Sequence, residues 1–142
     1  MMRIAIMAAS MMLAAGGALA GDTPAPEGAE LYFISPQDGE VVSSPVTVRF
    51  GLKGMGVAPA GVDDKANTGH HHLLIDAPTP SGEALNEALP ADDHHKHFGG
   101  GQTETAIELA PGAHSLQLVL GDWSHIPHNP PVMSQRITIT VK

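Results

Sequence analysis

From Pro45 onward the chain alternates Val46, Val48, Phe50 and Leu52 with Thr47, Arg49, Gly51 and Lys53. A period of two marks a strand with one buried face, because successive side chains leave a strand on opposite sides. The same alternation returns at His71, Leu73 and Ile75, at Thr103, Thr105, Ile107 and Leu109, at Leu116, Leu118 and Leu120, and at Ile137, Ile139 and Val141. Leu31-Tyr32-Phe33-Ile34 adds a short strand stopped by Ser35-Pro36, and Val41-Val42 leads into the next. Gln37-Asp38-Gly39 and Pro111-Gly112 are turn signals, with glycine supplying a positive φ in the first. No long segment carries a helical period; Glu83 to Leu89 reads as a helical turn at most. The pattern predicts an all-β fold, an immunoglobulin-like antiparallel β-sandwich of about seven strands with two long loops, and an eight-stranded jelly roll is the alternative. The expected core is Val46, Val48, Phe50, Leu73, Ile75, Ile107, Leu116, Leu118, Leu120, Ile137 and Ile139.

The two long loops are Gly54 to Gly69 and Ala77 to Gly101, and their length marks them as candidates for function. At the amino end, Arg3 precedes an apolar run, and the segment closes on Ala18-Leu19-Ala20, the small-x-small pattern of a cleavable secretion signal. Residues 1–20 are expected to be removed between Ala20 and Gly21, delivering the rest to the periplasm or outside the cell. The apolar run is too short to span about 30 Å of hydrocarbon, and with no cysteine for a lipid, no membrane anchor is expected. Residues 21–30, with Pro24 and Pro26 between small residues, read as a flexible, extended tether with nothing to pack. Residues 31–142 form the sandwich domain, large enough to bury one core without disulfides.

The formal charge is −8, and losing Arg3 with the signal makes it −9, which argues against nucleic acid and for cations. The chain has nine histidines against seven lysines plus arginines. They gather as His70-His71-His72, His94-His95-Lys96-His97 and His125-Ile126-Pro127-His128. Residues i and i+2 of a strand point the same way about 6.5 Å apart, so His70 with His72, and His95 with His97, can each offer two imidazoles to one ion. Pro127 stiffens the loop that presents His125 and His128. Strand ends cluster at the poles of a sandwich, so the expected metal ligands, His70, His72, His95, His97, His125 and His128, are placed together at one pole. Asp76, Asp93 and Asp122 are candidate partners for the non-ligating ring nitrogens. His94 reads as a solvated or capping residue, His114 as bonding the turn backbone, and His71 as either a hydrogen-bonded core edge or a ligand. An all-nitrogen site favours Cu(II) or Zn(II), copper having the higher intrinsic affinity. Met55 and Met133 are available to Cu(I), though packing is the commoner role. Ligation needs neutral imidazole, so affinity is expected to fall as the pH drops through about 6.5.

Three runs carry a resemblance: Asn67 to Ile75, His97 to Thr105, and Gly121-Asp122 with His125 through Ser134. In this order they resemble the bacterial family known as domain of unknown function 4399, with the likeness running from about Val57 to Val141. The resemblance implies export and a compact β fold and brings no activity with it. His95-Lys96-His97-Phe98-Gly99 is also similar to the His-x-His strand of copper-zinc superoxide dismutase, but that family's cysteine pair and zinc loop have no counterpart here. The leading functional reading is a non-enzymatic, exported, histidine-rich metal-binding protein for copper rather than zinc. The alternative is a cell-envelope module that binds a protein or glycan through its long loops, its histidines being structural or pH-responsive. A metal-dependent enzyme ranks third, because the chain shows no nucleophile elbow and no cysteine.

Overall fold

The structure, a computed structural model, describes residues 21–62 and 65–142. The expected signal at residues 1–20 lies outside the described residues. The elements are β1 (Glu30–Ser35), β2 (Val41–Val42), β3 (Val46–Lys53), β4 (Gly56–Val57), β5 (Thr68–Ile75), β6 (His95–His97), β7 (Glu104–Ile107), β8 (Gly112–Gly121) and β9 (Ile137–Val141). A short 3-10 turn over Gly82–Asn86 is the helical element anticipated between Glu83 and Leu89. One sheet has the order β1-β3-β7; the other runs β2-β9-β8-β5, with β4 and β6 both on the far edge of β5. This is an immunoglobulin-like order, with β1, β3 and β7 standing for strands A, B and E and β5, β8 and β9 for C, F and G.

The sandwich departs from a purely antiparallel one at two short pairs, β2 with β9 and β4 with β5. After Ser35-Pro36 the chain leaves the first sheet and runs on beside β9 in the second. All eleven residues expected in the core are buried, joined by Leu31, Phe98, Val132 and Val141. Alternation placed them because the two inner faces supply the inter-sheet core. Gly39, at φ 79°, closes the turn before β2 as its sequence required.

The outer face of the larger sheet is the unexpected feature. Every residue from Gly69 to Ile75 is buried, so β5 is covered on both sides. Its inward residues are His71, Leu73 and Ile75; its outward ones are His70, His72 and Leu74. Leu74 and Val119 pack outward with Ala77, Leu89 and Met133 into a second, smaller core. The long segment after β5 and the irregular run before β9 lie over the sheet and exclude water from it. The Val119–Met133 bridge and the bond from the Leu120 amide to the Val132 carbonyl (3.0 Å) extend the β9 side of β8.

Residues 21–25 are held against the loop that follows β8. The Asn129 amide donates to the Thr23 carbonyl and the Ala25 amide to the Asn129 carbonyl, both at 2.9 Å. Thr23 and Pro24 therefore pair like a strand with the loop that follows β8. The reading of a tether with nothing to pack is corrected there: proline and small residues left backbone groups free to bond, and a neighbouring loop took them up.

Candidate metal centre

Register brings the histidines together. His70 pairs with Gly121 and His72 with Val119 across β5 and β8, while His72 pairs with His97 across β5 and β6. His70, His72 and His97 thus share the outer face of the sheet, and the loop after β8 folds back to add His125. One ligand atom from each of the four lies within 4.8 Å of the others. His72 Nε2 is 2.9 Å from His70 Nε2, which is 3.1 Å from His125 Nδ1. All six ring-centroid separations fall between 4.6 and 5.9 Å. Among the described residues, three or more such side chains gather this closely only here.

The arrangement suits an ion. Ring nitrogens facing one another at these distances repel through their lone pairs unless a proton or a cation lies between them. An ion with bonds of about 2.0–2.1 Å sets its nitrogens about 3.3–3.4 Å apart in a tetrahedron and neighbours about 2.9 Å apart in a plane. Glycine makes the room: a Cβ at Gly121 would lie 2.8 Å from His72 Nε2, and one at Gly99 would lie 2.6 Å from His97 Nε2. Neither glycine stood out in the sequence as part of a site, although both fall in the runs that carry the family resemblance.

Burial keeps the rings of His70 and His72 neutral. His70 and His72 are buried, His125 is half-buried and His97 is exposed. Desolvation, reinforced by the neighbouring imidazoles, lowers the pKa of His72 to about 2. Desolvation lowers His70 to about 4, with His125 and His97 adding to it and Asp122 opposing. His97 is lowered by desolvation and by His125. His70 and His72 are therefore in the form that binds a metal rather than a proton.

Two of the six expected ligands lie elsewhere. His95 shares the face of His97 but sits opposite Leu74, one step further from the Gly121 end, and its Nδ1 bonds Asp92 Oδ1 at 2.8 Å. His128 is buried; its ring abuts Gly69, with Nε2 3.0 Å from the Thr68 carbonyl oxygen. It staples β5 to the loop after β8. The four gathered rings stand on the outer face of one sheet and not at a pole between the two.

The remaining histidines serve structure. His114 bonds the Ala110 carbonyl (2.8 Å), as expected, and also Asp76 (2.7 Å). His94 bonds the Ile75 carbonyl at 2.9 Å. His71 packs inward against Phe50, ring centroids 5.0 Å apart. It is a core residue, but not a hydrogen-bonded one: neither ring nitrogen has a partner within bonding geometry. Burial lowers its pKa to about 4, opposed only by the Gln102 backbone, which faces the ring outside that geometry. Asp76 is taken by His114, and Asp93 lies near Lys96 at 3.7 Å. Met55 and Met133 pack against the two cores.

An all-β sandwich carrying an imidazole cluster on the covered outer face of one sheet is thus the class of protein defined by fold and site. Residues 48–142 match the family described as Domain of unknown function (DUF4399), and the chain belongs to that family. All four clustered histidines fall within the matched residues; β1, β2 and residues 21–25 precede them. No curated protein and no solved structure matches the chain.

Proposed function

We propose that this protein is an exported metal-binding protein of the periplasm, taking one divalent ion, copper in preference to zinc, without catalysing a reaction on it. The observation that carries the reading is the four-imidazole cluster, with ligand atoms within 4.8 Å and two rings buried. Copper is favoured by the Irving–Williams order and by the 2.9 and 3.1 Å contacts, which are closer to planar than to tetrahedral spacing. A storage or delivery role is favoured because four protein ligands fill a four-coordinate shell, whereas catalytic sites keep a position open for water or substrate. Export is supported by the signal pattern that ends at Ala20.

The test is metal analysis of untagged protein recovered from the periplasm of cells grown with added copper and zinc. The expected result is one copper ion per chain and a mass beginning at Gly21. Replacing His70 and His72 together with alanine, or His97 alone, should remove the ion while the circular dichroism of the sandwich persists. Protein that takes up neither metal overturns the reading. The envelope-module alternative would then lead, and one observation favours it: Trp123 and Val62 are exposed where the loop after β8 meets the loop between β4 and β5.

A further inference from the structure

His125 is the one gathered histidine that no strand carries. Its φ is 70°, a left-handed conformation that a residue with a Cβ adopts reluctantly, so the surrounding chain must hold it. Asp122 is placed to do so. Its Oδ1 accepts from the Ser124 amide (2.8 Å) and hydroxyl (2.9 Å) and from the Ile126 amide (3.0 Å), one residue on either side of His125. The His125 amide donates to the Asp122 carbonyl (3.0 Å), and the Asp122 amide to the Ile126 carbonyl (2.9 Å). Asp122 is only 4% exposed, so water cannot readily replace these partners.

The other carboxylate oxygen reaches outside the loop. Asp122 Oδ2 accepts from the Thr23 hydroxyl at 2.7 Å. Thr23 precedes Pro24, which bridges to Asn129, and its carbonyl accepts from the Asn129 amide. Next to it, the Gly21 amide donates to Asn86 Oδ1 at 2.8 Å, and a Cβ on Gly21 would stand 2.2 Å from the Pro127 carbonyl oxygen. Both ends of the His125 loop are thereby tied to residues 21–25.

We infer that Asp122 is a positioning residue for His125, and that residues 21–25 form a strap whose docking through Thr23 completes the four-imidazole site. The inference rests on the metal-binding reading for its consequence, but the loop geometry stands without it. The strap precedes the residues matched to the family and directly follows the expected cleavage point, so the segment that export exposes is the one that locks the ligand loop.

The experiment uses Cu(II) as the probe on the chain as exported, comparing wild type with Asp122→Ala, Asp122→Asn and Thr23→Val. Affinity is read by chelator competition, ligand geometry by electron paramagnetic resonance, and the loop by amide hydrogen exchange at Ile126 in metal-free protein. Asp122→Ala should weaken Cu(II) binding about 10–100-fold, the range for groups that orient ligands, and change the resonance parameters. Asp122→Asn keeps an oxygen for Ser124 and Ile126 and should stay within about threefold of wild type; Thr23→Val should lose about 3–10-fold. Wild-type affinity in Asp122→Ala overturns the positioning role, and equal losses in Asp122→Asn and Asp122→Ala overturn it in favour of charge. Unchanged affinity in Thr23→Val overturns the strap. Should wild type bind no Cu(II), the metal reading falls, and Ile126 still decides: faster exchange in Asp122→Ala and Thr23→Val supports the strap and its carboxylate, and unchanged exchange overturns them.

Discussion

Lowering the pH from 7.5 to 5.5 should barely weaken Cu(II) binding through His70 and His72. An ordinary imidazole, with a pKa of about 6.5, is mostly protonated at pH 5.5, and each such ligand would cut affinity about tenfold over this range, two of them about 100-fold. His70, held at about 4, costs a factor of only about 1.03 at pH 5.5, and His72, at about 2, costs nothing measurable. A His70 value one unit higher would still give only about 1.3. The sign follows from burial: desolvation disfavours the imidazolium, so proton competition moves down in pH and not up. The acid loss expected near 6.5 from sequence is thereby displaced toward pH 4 for these two ligands. Competition against a chromophoric chelator at pH 7.5, 6.5 and 5.5, corrected for the chelator's own protonation, measures it. A loss of about 1,000-fold or more between 7.5 and 5.5 requires that at least three of the four ligands titrate normally, His70 or His72 among them, and would refute the reasoning.

His71→Leu removes two unpartnered buried nitrogens and should leave the protein at least as stable at pH 7. The folded pKa of His71 is about 4 and the unfolded value about 6.5, so the unfolded chain binds the extra proton and stability is lost as pH falls from 6.5 toward 4. That loss is about 2 kcal/mol at pH 5, and denaturant titrations of His71→Leu at pH 7 and 5 should show a pH dependence smaller by that amount; an unaltered dependence contradicts it. Leu118→Ala should cost about 2–5 kcal/mol through its cavity. Gln117→Ala, which strand phase alone marks as harmless, should cost about 1–2 kcal/mol, because Gln117 is buried and bonds Thr79 (2.7 Å) and Ser134 (3.1 Å); equilibrium unfolding that finds it neutral means the outer face is not covered. Gly121→Ala would set a Cβ 2.8 Å from His72 Nε2 and should lower Cu(II) affinity at least about tenfold, so unchanged binding would count against the cluster geometry.

Strand phase was legible because it is local. Val46, Val48 and Phe50 point inward for the same reason that Thr47 and Arg49 do not, and no distant contact is needed to say so. The i, i+2 spacing likewise put His70 and His72 on one side of β5 and His95 and His97 on one side of β6. What covers an outward face is not local. Leu74 and Gln117 alternate as solvated residues would, yet residues outside their own strands, Leu89, Met133 and Ser134 among them, bury them. Which histidines meet was also outside the reach of spacing, because cross-strand register sets it: His97 stands opposite His72, while His95, with the same spacing, stands opposite Leu74 and falls to Asp92. His125 and His128 are three residues apart on one loop, and backbone dihedrals send one ring to the cluster and the other against Gly69. The sequence by itself determined the strands, their inward faces and the histidine-bearing segments, since side-chain alternation is a property of a single strand. Tertiary structure alone decided which four imidazoles converge, how far burial depresses the pKa of His70 and His72 and what holds the fourth, because register, desolvation and loop docking arise between segments remote in the chain.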